Sequence, residues 1–144
     1  LGCNNLVLVD LALDYTQATR LAVAAALQAD ATAVQAVTGL LQAAGYAVSV
    51  LRDVPGLPVM RTVAMLANEA ADAVNQGVCD IDSTDVAMQL GVNYPRGPLA
   101  WARQVGLEQV RTVLAHLAQF YGEDRYRVSP WIQQQVYAGD VRHG

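Results

Sequence analysis

Apolar positions along the chain change their spacing near residue 55, and that change divides the sequence into two stretches of different class. Leu6-Val-Leu-Val-Asp-Leu-Ala-Leu13 is a mostly apolar run of β type. Thr16 then stands where an N-cap belongs, and the alanine-rich stretch from Gln17 to about Leu27 predicts a helix. A second helix is expected from about Ala31 to Ala44, since Val34, Val37, Leu40 and Leu41 recur at helical spacing, with Gly45 as its C-cap. Tyr46 to Leu51 alternates as a strand does, with Val48 and Val50 on one face. Residues 1–53 therefore read as a partial α/β unit in the order β-α-α-β.

Asp53-Val-Pro-Gly56 interrupts this pattern, and from residue 54 to residue 144 the periodicity is helical throughout. Val59 to Gln76 carries Val59, Val63, Leu66, Ala67, Ala70 and Val74 along one face and ends at Gly77. Asp80 to Asp85 supplies short acids suited to the free amides of a helix that runs to Leu90 and stops at Gly91. Asn93-Tyr-Pro-Arg-Gly-Pro98 is a tight turn, and Pro98 suits the first position of a helix reaching Val105. Leu107 to Tyr121 follows, with Leu107, Val110, Val113, Leu114 and Leu117 inward and Gly122 as terminator. Ser129-Pro130 opens a last short helix to Ala138.

Composition agrees with a mainly α chain. Of 144 residues 53% are hydrophobic, many of them alanine, and only 6% are aromatic. That balance favours close-packed helices. The net charge of -4 and the scattered arginines argue against a nucleic-acid surface. No apolar run approaches the roughly 20 residues that span a bilayer, so a membrane-inserted chain is not expected. Cys3 and Cys79 form no metal-ligand spacing, and two free thiols fit a reducing, cytoplasmic setting. The chain opens at Leu1 and runs almost at once into a strand, as a piece cut from a longer protein would.

Chemistry is sparse. There is no G-x-G, so neither a dinucleotide fingerprint nor a P-loop is present, and the elbow and zinc-helix motifs of hydrolases are missing too. His116 lies inside a helix, and His143 in the terminal Arg142-His-Gly144. Asp80, Asp82 and Asp85 lack the glycine and glutamate of a calcium loop and read better as helix-capping acids. Cys79 precedes a helix start but has no histidine nearby, which makes it a structural thiol. Arg61, by contrast, sits at the unfavourable end of a helix dipole and calls for a specific partner.

Several of these motifs occur together in one known family. Asp53-x-Pro55-Gly56, Arg61 and Asn68-Glu69-Ala70 resemble the D-x-P-G-F-x-x-N-R…N-E-A opening of the C-terminal domain of 3-hydroxyacyl-CoA dehydrogenases. Asp82 to Gly91 is similar to the D-I-D-x-A-M-x-x-G element, and Tyr94-Pro95-Arg96-Gly97-Pro98 to the Y-P-x-G-P signature. Tyr121-Gly122, Arg125-Tyr126-Arg127, Ser129-Pro130 and Ala138-Gly139 resemble the later F-G-D-x-R-Y-x-P-S-P and A-G elements. The likeness covers residues 30–139 well and residues 1–29 weakly. It is strongest to the second C-terminal copy in long bacterial 3-hydroxybutyryl-CoA or 3-hydroxyadipyl-CoA dehydrogenases of phenylacetate catabolism.

The resemblance implies a helical domain of the 6-phosphogluconate-dehydrogenase C-terminal type, preceded by a remnant of a Rossmann domain. It implies a homodimer, with the rest of the parent dehydrogenase and an acyl-CoA as further partners, and NAD as the cofactor of the parent enzyme. By family position Met60 and Arg61 face the substrate, and the asparagine of the family's N-R pair falls on Met60, whose thioether cannot donate a hydrogen bond. Arg61 is then expected to meet an acid of this chain or of another subunit, or an acyl-CoA phosphate or carbonyl. The catalytic histidine of the H-F-F-N-P segment and its glutamate partner have no counterpart here. The chain is expected to hold no catalytic residue, cofactor or metal of its own, to be inactive alone, and to serve in dimerisation and in shaping the acyl-CoA site. A non-catalytic helical interaction module of the same fold is the alternative.

Overall fold

The computed structural model describes residues 3–142; His143 lies outside the described residues. Two compact units divide between Met60 and Arg61.

The first unit is a three-stranded sheet with one helix. Strand β1 (Val7–Val9) pairs antiparallel with β2 (Arg20–Ala25), and β2 pairs parallel with β3 (Ala47–Leu51), giving the order β1-β2-β3. Helix α1 (Ala31–Ala43) is the crossover between the two parallel strands. The element order is thus β-β-α-β, and the helix expected from Gln17 to Leu27 is a strand instead. As the middle strand β2 is covered on both sides: Leu21, Val23 and Ala24 are all buried. An uninterrupted apolar run is what such a strand requires, and in so short a segment spacing does not separate it from a buried helix. Thr16 caps no helix. Its amide and hydroxyl both bond to the Asp14 carboxylate, at 2.9 and 2.6 Å, closing a side-chain turn between β1 and β2.

Helix α1 begins as its sequence implies. Asp30 is its N-cap and accepts from the Ala33 amide at 2.8 Å. The chain leaves the helix through Gly45, whose φ of +93° is left-handed.

Helix α2 (Pro58–Asn75) starts in the first unit and continues into the second. There it is followed by α3 (Ile81–Val92), α4 (Pro98–Val105), α5 (Leu107–Tyr121), a 3-10 turn at Asp124–Tyr126, and α6 (Pro130–Arg142). Helix α3 passes through the expected stop at Gly91 and ends at Asn93, whose φ of 57° is left-handed. Asparagine tolerates that conformation well. Helix α6 continues past the expected end at Ala138 to Arg142.

The core of this unit is built on the small residues of α2. Ala64, Ala67 and Ala71 are fully buried and meet Leu99 and Ala102 of α4, Val110 and Leu114 of α5, and Ile132 and Val136 of α6. With alanine at these positions of α2, the larger side chains of α4, α5 and α6 fill the space between the helices. No helix among the described residues is long and apolar enough to cross a membrane.

Candidate functional site

In the first unit the relevant corner is Asp53 to Met60. Gly56 has a φ of 81° and Leu57, a non-glycine residue, a φ of 46°. The chain therefore turns sharply through two successive left-handed residues into α2. Asp10 secures that turn. It is 2% exposed, and its carboxylate accepts from the amides of Val59 (2.7 Å), Met60 (3.3 Å) and Leu11 (2.8 Å). The first two are free donors of a helix start, and a carboxylate is the group that the positive helix end favours. A cleft of about 470 Å³ lies beside the corner, lined by Leu8, Val9, Pro55, Gly56 and Met60 among others. Asp10 carries no motif of its own; its one signal in the sequence is an acid in the middle of the apolar run Leu6 to Leu13, which marks a buried polar role.

In the second unit Arg61 has its partner within the chain. The Nη2 atom donates to the Tyr121 hydroxyl at 2.7 Å, and the guanidinium lies over the Tyr121 ring, 5.2 Å from its centre. Tyr121 stacks on Tyr126, with ring centres 5.3 Å apart and planes at 28°. A cation over an aromatic face gains from the ring quadrupole, so Tyr121 serves Arg61 by both its hydroxyl and its face. One partner of Arg61 is thus a phenol of α5, a contact that the sequence does not announce.

Asn68 stands in the sequence only as part of a motif. It is 2% exposed and donates to the Arg127 carbonyl at 2.9 Å, while its Oδ1 accepts from the Ser129 amide at 2.8 Å. One side chain thus satisfies two backbone groups of the segment that leads into α6. Arg127 adds an ion pair with Asp72 of α2 at 2.6 Å.

The Y-P-x-G-P segment is organised by an acid from another helix. Asp85 of α3 accepts from the amides of Leu99 (2.8 Å) and Ala100 (2.9 Å), so it caps α4 from across the turn. Gly97 lies directly against Asp85: a Cβ there would overlap the carboxylate, so only glycine lets the acid reach the helix end. Pro98 is the first residue of α4, where its missing N–H costs nothing. Tyr94 rests on Trp101, ring centres 5.7 Å apart, and Pro95 is exposed.

Asp80 caps α3 by accepting from the Ser83 amide at 2.7 Å. That bond, followed by one from the Ser83 side chain, holds its carboxyl below the usual value of 3.8. Cys79 lies 2.9 Å from the Thr84 hydroxyl, which itself donates to the Asp80 carbonyl. His116 is exposed on α5. Among the described residues no group of three or more histidine, cysteine, aspartate or glutamate side chains is placed to hold a metal ion.

Comparison with known proteins bears on this arrangement. Residues 1–55 match the model of the 3-hydroxybutyryl-CoA dehydrogenase reduced Rossmann-fold domain, and residues 56–143 that of the 3-hydroxyacyl-CoA dehydrogenase C-terminal domain. The 3-hydroxyadipyl-CoA dehydrogenase of Escherichia coli K12 is 46% identical over 96 residues, covering 67% of this chain and 20% of its own. A probable 3-hydroxybutyryl-CoA dehydrogenase of Deinococcus radiodurans is 38% identical over 87 residues, 60% of this chain and 31% of its own. The crystal structure of the 3-hydroxybutyryl-CoA dehydrogenase of E. coli superposes with a TM-score of 0.84 at 38% identity, covering 92% of this chain and 27% of the other. That of (S)-3-hydroxybutyryl-CoA dehydrogenase from Ralstonia eutropha gives 0.78 at 28% identity, covering 85% and 44%. The chain thus spans a fifth to a third of the length of these two curated relatives.

Proposed function

Since this chain belongs to the 3-hydroxyacyl-CoA dehydrogenase family, we propose that it is the non-catalytic C-terminal part of an NAD-dependent dehydrogenase of the 3-hydroxybutyryl-CoA or 3-hydroxyadipyl-CoA type. Its role in this reading is to assemble subunits and to shape the acyl-CoA site, while the base and the NAD are carried by the rest of the polypeptide.

The observation that supports this most directly lies at the start of α2. The position that the family gives to a substrate-facing asparagine is Met60, and its amide is taken by Asp10. The arginine that follows is engaged by Tyr121. A thioether neither donates a hydrogen bond to a hydroxyl nor moves a proton, so these residues position and exclude; they do not react. The cleft beside Met60, whose wall joins Leu8, Val9, Pro55 and Met60 with the acids Asp10 and Asp53, offers apolar contact to the carbon chain of an acyl group.

Assembly rests on α3. Val86 and Leu90, one turn apart on that helix, are 50% and 83% exposed. Large apolar side chains in such a row gain by burial against a second copy of the same surface, which a two-fold axis provides.

The test is a spectrophotometric assay of the purified chain with 3-hydroxybutyryl-CoA and NAD, run beside calorimetric titration with the acyl-CoA. No NADH formation together with saturable acyl-CoA binding is the expected result. Measurable NADH formation defeats the non-catalytic reading. Absence of both turnover and binding moves the assignment to the alternative, a helical interaction module that keeps the fold without the ligand.

A further inference from the structure

In doubly wound folds a dinucleotide places its pyrophosphate where a glycine-rich turn passes from a strand into the next helix. The free amides and the helix dipole favour negative charge there, and the glycines leave the backbone bare for close approach. Among the described residues the parallel β-α-β unit is β2-α1-β3. Its strand-to-helix turn is Ala26-Leu27-Gln28-Ala29-Asp30, with no glycine, and the Leu27 side chain stands fully exposed in the middle of it.

One backbone amide of this helix start and two neighbouring side-chain donors are already committed to one group. The Asp30 carboxylate accepts from the Ala33 amide at 2.8 Å, the Thr32 hydroxyl at 2.6 Å and the Asn5 side-chain amide at 2.9 Å. Asn5 in turn accepts from the Asp30 amide at 3.1 Å, so the acid is held from two sides. The Thr32 hydroxyl first, then the Ala33 amide and Asn5, hold the Asp30 carboxyl below its usual 3.8. At neutral pH it is an anion, and a phosphate arriving here meets a like charge that already holds the Ala33 amide and the Thr32 hydroxyl.

We infer that the first unit is a dinucleotide-type fold closed at its cofactor end by Asp30, and that it takes no nicotinamide dinucleotide. This rests on the reading above, in which NAD is held elsewhere in a longer polypeptide, and sharpens it by naming the side chain that fills the phosphate position.

The experiment is titration of the chain with NADH and with inorganic pyrophosphate, following NADH fluorescence and the backbone amide resonances of residues 26–33. No saturable change through millimolar concentrations is expected of the wild-type chain. Asp30→Ser, which keeps an oxygen to cap α1 and removes the charge, is expected to show pyrophosphate-dependent shifts at Thr32 and Ala33. Saturable NADH binding by the wild type overturns the inference, and so does a variant as silent as the wild type. Neither outcome alters turnover or acyl-CoA binding, so a failure here is distinguishable from a failure of the proposed function.

Discussion

At the scale of single residues the second unit depends on a few polar side chains placed where backbone groups would otherwise lack partners. Asn68→Ala removes two such bonds and leaves the Arg127 carbonyl and the Ser129 amide without them. Two modest net bonds plus the desolvation of the orphaned groups give a cost of about 3 kcal/mol, read as a lower denaturant midpoint. Gly97 and Asp85 form a coupled pair. Asp85→Ala loses a cap, at about 1 kcal/mol. Gly97→Ala drives the carboxylate away and crowds the turn, at about 2 kcal/mol. Once the carboxylate is gone the added methyl meets less, so the double variant is expected to cost less than the sum of the singles, as a double-mutant cycle measures. Asp80 supplies a pH dependence. Its folded pKa lies below the ordinary 3.8, so its contribution is present above that value and is lost as pH falls through the folded one. Asp80→Ala is therefore expected to unfold at a lower temperature than the wild type at pH 7, with the difference closing in acid below 3.8.

At the scale of elements the sequence is legible wherever helix ends carry their own chemistry. Helices α2, α4 and α5 start and stop within a residue of expectation because Pro58, Pro98, Gly77 and Gly122 act locally. Helix α3 outruns Gly91 since glycine only permits a stop; the left-handed residue is Asn93. Strand β2 reads as a helix because what defines it is position in the sheet. Ala22, Ala24 and Ala25 suit a helix by propensity, but pairing and burial on both sides decide the matter. A substitution separates the two readings. Ala24 has no exposure. Ala24→Leu adds volume there and is expected to destabilise by about 2 kcal/mol, whereas on an exposed helix it would be near neutral. The candidate site is legible in part. Pro55, Gly56, Met60 and the Y-P-x-G-P turn stand in the sequence as motifs. The partners that give them and Arg61 meaning, Asp10 for Met60, Tyr121 for Arg61 and Asp85 for the turn, come from other elements and emerge only on folding.

At the scale of the whole molecule the expected behaviour is association without turnover. Light scattering over a range of concentrations is expected to give a dimer mass, and Leu90→Asp to shift the chain to monomer by placing a charge on the apolar row of α3. A dimer that survives this substitution would place the contact elsewhere, and a monomeric wild type would confine the chain to a supporting role within one subunit.

The bridge made by Asn68 has a further consequence for how this fold tolerates change over generations. Because that amide reads the main chain at Arg127 and Ser129, it is indifferent to the identity of the side chains there. Residue 127 is bound to the helix a second time, through the ion pair of its side chain with Asp72, and residue 129 is limited by the space around it, while residue 68 has no substitute that both donates and accepts at the same reach. Mutational scanning should therefore find the sensitive member of this contact on the helix and not on the segment it holds.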